Sequence, residues 1–180
     1  MLTVWFPGRS LWIAGAVLAI VMLGGCSVLP AEPSSRAAHS ASQARAEVMA
    51  LPGVLDVDVA GGPDGIPGQN EAHLGVTLVP GYPGDIISLY RYLVEEVWSC
   101  TNLDRPTTVI KIFITVGDTP VDLAAAAQAS GWTADAGSPG DGISPRDVAN
   151  TLGAFPGPPP TPPGSLTSVT VVSPGATPSP

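Results

Sequence analysis

Two segments, Val54-Leu-Asp-Val-Asp-Val59 and Ala72-His-Leu-Gly-Val-Thr-Leu-Val79, alternate apolar and polar residues with a period of two. This alternation predicts two β-strands, each with one buried face. The residues expected on that face are Leu55, Val57, Val59, Leu74, Val76 and Leu78. Residues 60–71 between the strands are rich in glycine, which predicts a loop.

A helix and a third strand follow. Asp85 is expected to cap the helix, and Glu96 and Tyr92 are expected on its polar side. The predicted apolar positions of this helix are Ile86, Leu89, Tyr90, Leu93, Val97 and Trp98. Residues 108–116 are apolar on both faces except for Lys111, which predicts a central strand that is covered on both sides or held by a partner on one side.

A further helix is predicted at each end of this region. The first runs from Ser35 to Leu51-Pro52-Gly53, and the last begins at Thr119-Pro120-Val121-Asp122 and ends at Gly131. The order α-β-β-α-β-α favours an α+β domain over 36–130, with a small three-stranded antiparallel or mixed sheet packed against two to three helices. In its element order, and in Leu51-Pro52-Gly53 before the first strand, it resembles the BON-type domains of the cell envelope.

Composition limits the class of protein. The chain has 21 glycines and 21 prolines in 180 residues and a net charge of −8, which excludes a coiled coil and argues against binding to nucleic acid. Many of the prolines lie in 131–180, so this segment is predicted to be a disordered, Pro/Gly-rich tail. Its Pro-rich Ser and Thr residues resemble the segments that some high-G+C Gram-positive bacteria O-glycosylate, although an unmodified tail remains the alternative.

The N-terminus has the pattern of an export signal. Arg9 precedes the uncharged residues 11–23, and Leu23-Gly24-Gly25-Cys26 comes next. This sequence resembles the lipobox of bacterial lipoproteins, and the resemblance implies that Cys26 is lipidated after cleavage. Residues 1–25 are then the signal peptide and 26–35 the lipidated N-terminus and tether. The alternative is that residues 11–29 remain as an uncleaved membrane helix.

Residues suited to catalysis or metal binding are few. His39 and His73 fit no metal-binding spacing and are expected to be solvated. Cys100 is expected to be a small buried residue at a helix end, and a reactive or interchain thiol is the alternative. The sequence therefore predicts no enzyme, no cofactor and no metal site.

The carboxylates of Asp56, Asp58 and Asp64 lack the order of a calcium loop, so they are interpreted as a soluble strand face and a turn. Four aromatic residues, Tyr82, Tyr90, Tyr92 and Trp98, cluster around the predicted second helix. An exposed Tyr92 would then suit a protein contact.

Together these features predict a non-enzymatic binding or accessory module. Its lipid anchor would hold it at the outer face of the cytoplasmic membrane, with another envelope protein as its possible partner. The alternative is a carrier for a small apolar ligand or lipid, held between the helices and the sheet. The oligomeric state is left open.

Overall fold

A computed structural model describes residues 39–132 and 142–170, which belong to one compact unit. Its elements, in chain order, are α1 Ala41–Met49, β1 Val54–Pro63, β2 Asn70–Leu78, α2 Ile86–Ser99, β3 Val109–Val116, β4 Thr119–Pro120, α3 Ala124–Ala129, β5 Gly142–Ile143, α4 Pro145–Leu152 and α5 Gly164–Thr167. Among these helices, none has the length and apolar character needed to cross a membrane.

The strands form one mixed sheet. β1 pairs with β2 in antiparallel fashion, and β2 pairs with β3 in parallel. Because parallel neighbours need a crossover connection, α2 links β2 to β3. The two-residue strands β4 and β5 both pair with the other edge of β3. The predicted α+β fold and the central position of the third strand are confirmed.

The helices pack on one face of this sheet, where α2 contacts both β2 and β3. The inward side chains of the strands include Val57, Ala72, Leu74, Val76, Leu78, Ile110, Ile112 and Ile114, all of them buried. They meet the buried side chains of α2, including Leu89, Leu93 and Val97. This packing confirms the predicted buried face of β2 and the predicted apolar side of α2.

The expected orientation of Leu55 is wrong. A register shift between Val54 and Asp56 interrupts the pairing with β2 and leaves the Leu55 side chain 54% exposed. An extra residue of this kind reverses which side chains face the core over a short stretch. Beyond the shift, Arg45 on α1 donates a hydrogen bond from Nε to the carbonyl oxygen of Val57 (2.7 Å), occupying an acceptor on β1.

The strands β1 and β2 are longer than predicted, so half of the expected loop 60–71 is part of the sheet. Gly61 pairs with Ala72, and the hairpin closes through residues 64–69. A Cβ atom at Gly61 would lie 3.1 Å from the carbonyl oxygen of Glu71, so glycine allows the two strands to approach closely here. Gly61 thus permits close strand pairing, whereas Gly65 and Gly68 adopt positive φ angles in the turn that was expected to be a loop.

The predicted start of the helix is correct for α2 and wrong for α3. The Asp85 side chain accepts a hydrogen bond from the backbone N–H of Ile87 (3.0 Å), which confirms the predicted cap. The predicted start of the last helix at Thr119 is wrong, because residues 119–120 pair with β3 as strand β4. The side chain of Asp122 accepts a hydrogen bond from the backbone N–H of Ala124 (3.0 Å), and α3 begins at Ala124, five residues after Thr119.

The prediction that the domain ends at residue 130 and a disordered tail comes after it is wrong for 142–170. Ile143, Val148 and Leu166 are buried in the core, and Trp132 is buried just before them. This segment also forms the short helix α5. A proline-rich segment can pack when a preformed aromatic surface receives it, and composition alone does not reveal that surface.

The receiving surface is Trp98 on α2. The Phe155 ring meets its indole edge-on at a centroid distance of 5.2 Å, and the indole N–H donates to the carbonyl oxygen of Gly153 (3.1 Å). The N–H of Gly157 in turn donates to the carbonyl oxygen of Trp98 (2.8 Å). A Cβ atom at Gly157 would lie 2.9 Å from the indole ring, so glycine is needed for this approach.

Candidate functional site

The outward face of the sheet is one candidate for binding. We define this open face by the outward residues Asp58, Ala60, Glu71, His73, Gly75, Thr77, Val109, Lys111, Phe113 and Thr115, which the strand pairing places side by side. None of them is buried by the parts of the chain that the structure describes. An apolar central strand therefore presents one of its two faces outward.

Phe113 is the large apolar side chain of the open face and is 42% exposed. Its direct neighbour on β2 is Gly75, which has no side chain to cover the ring. A Cβ atom at Gly75 would lie 4.0 Å from that of Phe113, an ordinary contact distance, so the fold leaves room for a larger residue at position 75. Glycine within a strand lowers stability, and its presence here keeps the phenyl ring accessible.

Ion pairs lie on the same face. The His73 imidazole contacts the Asp58 carboxylate (3.0 Å), and the Lys111 ammonium donates to Glu71 (2.5 Å). His73 thus points outward as expected, although it is paired rather than only solvated.

The side chain of Asp64 accepts a hydrogen bond from the N–H of Ile66 in the hairpin turn (3.0 Å). The turn interpretation of that residue is confirmed.

The second candidate is a buried polar cluster formed by His39, Glu47, Tyr92 and Glu96. His39 precedes α1, and the turn after α2 holds it in place: Thr101 donates to its carbonyl oxygen through the backbone N–H (2.7 Å) and the hydroxyl (3.1 Å). Its imidazole thereby reaches α2. The predicted solvent exposure of His39, Tyr92 and Glu96 is wrong, since all three are buried.

In this buried polar cluster, the imidazole lies between two carboxylates. Nε2 of His39 and Oε2 of Glu96 share a hydrogen bond (2.7 Å), and Nδ1 lies 3.8 Å from Oε1 of Glu47. The other oxygen of Glu96, Oε1, and the Tyr92 hydroxyl have no well-aligned hydrogen bond to any described residue, although the two side chains are close enough to interact. These two buried oxygen atoms therefore lack a well-aligned hydrogen bond.

Burial dominates the electrostatics of the cluster. It raises the pKa of Glu96 above its ordinary value, while the interactions with Tyr92 and His39 act in the opposite direction. Burial also raises the pKa of Tyr92, and the negative charge of Glu96 adds to this effect. Ionising either group in this environment is unfavourable unless a positive charge lies beside it.

Burial also raises the pKa of Cys100, which follows α2. The thiol is buried, and its S–H donates to the carbonyl oxygen of Glu96 (3.3 Å). Burial, together with the charge of Glu96, raises the pKa of Cys100 to about 12. The thiolate is the nucleophile, so this cysteine is unreactive near neutral pH. The interpretation of Cys100 as a buried residue at a helix end is confirmed.

The remaining predicted sites fall into two groups. Tyr90 and Trp98 are buried in the core and Tyr82 is partly buried, so the aromatic cluster around α2 packs the interior instead of forming a contact surface. Cys26, the predicted signal peptide 1–25 and the tether 26–35 lie outside the described residues. Lipidation therefore stays a prediction from sequence.

Comparisons with known proteins give no family for this chain. No protein-family model, no curated protein and no solved structure matches it. The likeness in element order to BON-type domains therefore stays a prediction. A function for this chain has to be inferred from its fold class and from the geometry of the open face and the buried polar cluster.

Proposed function

We propose that this chain is a lipid-anchored protein of the bacterial cell envelope whose α+β domain is a non-enzymatic module that binds another envelope protein through the open face. The observation that supports binding most directly is the exposed Phe113 beside Gly75 on the central strand. The lipobox-like sequence Leu23-Gly24-Gly25-Cys26 supports the anchor and the location on the outer face of the cytoplasmic membrane.

The chemistry of the open face suits a protein partner. The exposed phenyl ring can enter an apolar pocket, and the charged pairs His73–Asp58 and Lys111–Glu71 lie on neighbouring strand positions. An apolar centre with polar groups around it is the usual arrangement of a contact surface between proteins. The edge of β1 is less suited to accept a strand, because Arg45 occupies the Val57 carbonyl group.

The alternative is a carrier for a small apolar ligand. The side chains between the helices and the sheet form one buried apolar cluster in the described residues. Trp98, Leu152 and Pro158 contribute to a surface cleft of about 220 Å³. Sites for drug-sized ligands measure roughly 300–1,000 Å³. Three other surface clefts, of about 310–360 Å³, reach the lower end of that range. The open face is the better supported site because it presents the exposed Phe113 ring.

Metabolic labelling tests the anchor. A clickable palmitate analogue should label the wild-type chain and the Cys100→Ala control, and it should not label Cys26→Ala, because only the cysteine of the lipobox accepts the lipid. Labelling is read by in-gel fluorescence after purification of the chain. Equal labelling of Cys26→Ala, or no labelling of the wild type, contradicts lipidation. In the latter case, salt-resistant membrane association would support the uncleaved helix 11–29.

Site-specific photo-crosslinking in cells tests the open face. A photoreactive residue at Thr115, beside Phe113 on the open face, should give an adduct of one defined mass. The same photoreactive residue at Ile87, at the start of α2, should give no such adduct. Ile87 is a large apolar side chain that is 45% exposed, close to the 42% of Phe113. A partner confined to the open face predicts this difference. Equal adducts from both positions contradict the proposal.

Gly75→Val separates binding from stability. The substitution should stabilise the folded chain by about 0.5–1 kcal/mol, since glycine within a strand is unfavourable. It should nevertheless reduce the adduct formed at Thr115 at least tenfold, because the added side chain covers the Phe113 ring. Urea unfolding and adduct yield are measured on the same variant. An unchanged yield means that the partner does not use this part of the open face.

A further inference from the structure

Beyond the proposed partner surface, the buried polar cluster has the composition of a metal site. His39, Glu47 and Glu96 each offer one ligand atom, and these atoms lie within 4.8 Å of one another. Bonds of 2.0–2.2 Å from zinc to nitrogen or oxygen place two ligands of one ion at most about 4.4 Å apart. Closing the remaining difference requires the side chains to rotate, and Glu47, which is 44% exposed, has room to do so.

A second observation points to the same place. Oε1 of Glu96 and the hydroxyl oxygen of Tyr92 are buried and have no well-aligned hydrogen bond to any described residue. Native proteins rarely leave buried polar atoms in this state, and a bound ion is one way in which such atoms are satisfied. A cation held by Glu96 would interact favourably with both oxygens.

Access and charge are also suitable. The side chain of Glu47 is 44% exposed, so the cluster reaches solvent on that side, while His39 and Glu96 are enclosed. Two carboxylates neutralise a divalent ion, which reduces the cost of burying the charge. A donor set with one imidazole nitrogen favours zinc or a similar transition metal over calcium and magnesium, which prefer oxygen ligands alone.

We propose that His39, Glu47 and Glu96 form a binding site for one divalent transition-metal ion of the zinc type, with Tyr92 beside the ion-bound carboxylate. The sequence did not suggest this site because Glu96 lies 57 residues after His39 and no two of the three residues have a metal-motif spacing. The site is independent of the open face, and either proposal can fail without affecting the other.

Isothermal titration with zinc chloride tests the site. The full chain with Cys26→Ser, purified in mild detergent and stripped with a chelator, should bind one equivalent of zinc at pH 7.5. Glu47→Gln should weaken binding at least tenfold and leave the Tm of the metal-free chain within about 2 °C, since Glu47 is partly exposed. His39→Asn should remove binding. Asp58→Asn and His73→Asn, in the exposed histidine–carboxylate pair, are the matched controls and should bind zinc unchanged.

X-ray absorption of the zinc-loaded chain gives an independent readout. The expected spectrum has a first shell of nitrogen and oxygen that includes one imidazole. A sulfur ligand would overturn the proposal, because it would place the ion at a cysteine. No binding at 100 μM zinc, or equal binding by the wild type and Glu47→Gln, would also overturn it. Glu47→Gln decides the question even where His39→Asn does not fold.

Discussion

Ending the chain at residue 132 should abolish cooperative folding. The deletion removes Ile143, Val148 and Leu166 from the core and uncovers the Trp98 indole. Large-to-small changes at single buried aliphatic positions cost about 2–5 kcal/mol, and whole domains are stable by only about 5–15 kcal/mol. Urea unfolding followed by tryptophan fluorescence and circular dichroism should therefore show a broad transition or none.

Two further chains make this result specific. A chain that ends at Thr170 keeps every described element and should match the full chain in Tm. Leu166→Ala should lower the free energy of unfolding by about 2–5 kcal/mol, since the side chain is fully buried. If the chain ending at residue 132 unfolds as cooperatively as the full chain, the segment 142–170 is not part of the domain.

His39→Ala should destabilise the fold by about 3–5 kcal/mol at pH 7.5, measured with a chelator present. The substitution leaves Glu96 buried without its partner, and an unpaired buried charge is costly. The exposed control His73→Ala removes a surface pair with Asp58 and should change stability by no more than about 1 kcal/mol. The two histidines thus differ because their surroundings differ.

The destabilisation should depend on pH in a defined direction. Burial raises the pKa of Glu96 above its ordinary value of 4.5, and losing His39 removes an interaction that opposes this rise. The folded His39→Ala chain then binds more protons than the unfolded chain above pH 4.5, so its stability falls as pH increases. Below pH 4.5 the carboxyl is protonated in both states and the difference from wild type should shrink.

A rescue variant completes the test. His39→Ala with Glu96→Gln should recover at least half of the stability lost at pH 7.5, because the buried group is then neutral. A destabilisation that is constant between pH 4 and pH 8, or a double variant as unstable as His39→Ala, contradicts the electrostatic explanation. In that case the loss comes from packing alone.

Local sequence patterns are sufficient for some elements of this fold and fail at others. Alternation along β2 predicts its buried face correctly because one register holds over the whole strand. The same rule fails at Leu55, since a single shift in pairing reverses the side chain. For α2, the apolar stripe predicts contact with the sheet, but nothing local reveals that α1 also contacts α2 and that His39, just before α1, meets the buried Glu96.

The missed sites depend on contacts between distant segments. His39 and Glu96 are separated by 57 residues, and hydrogen bonds from the segment after α2, at Thr101 and Asn102, hold the start of α1 beside α2. The Pro-rich segment likewise needs Trp98, which precedes it by more than fifty residues. Composition describes what a segment does alone in water, so it cannot predict a segment that gains its order from a partner surface. For Phe113, the sequence predicts only that it lies in a strand with two apolar faces. It does not predict which of these faces is exposed.

The hydrogen bonds between Thr101 and the carbonyl group of His39 also have a mechanical consequence. If Cys26 carries the lipid as proposed, 13 residues join the bilayer to this point, and a fully extended chain of that length spans roughly 45 Å. This short tether would keep the domain near the bilayer, so it could engage only partners close to the membrane. A pull from the anchor would enter the described part of the chain at His39, the residue that Thr101 holds and that closes the buried polar cluster.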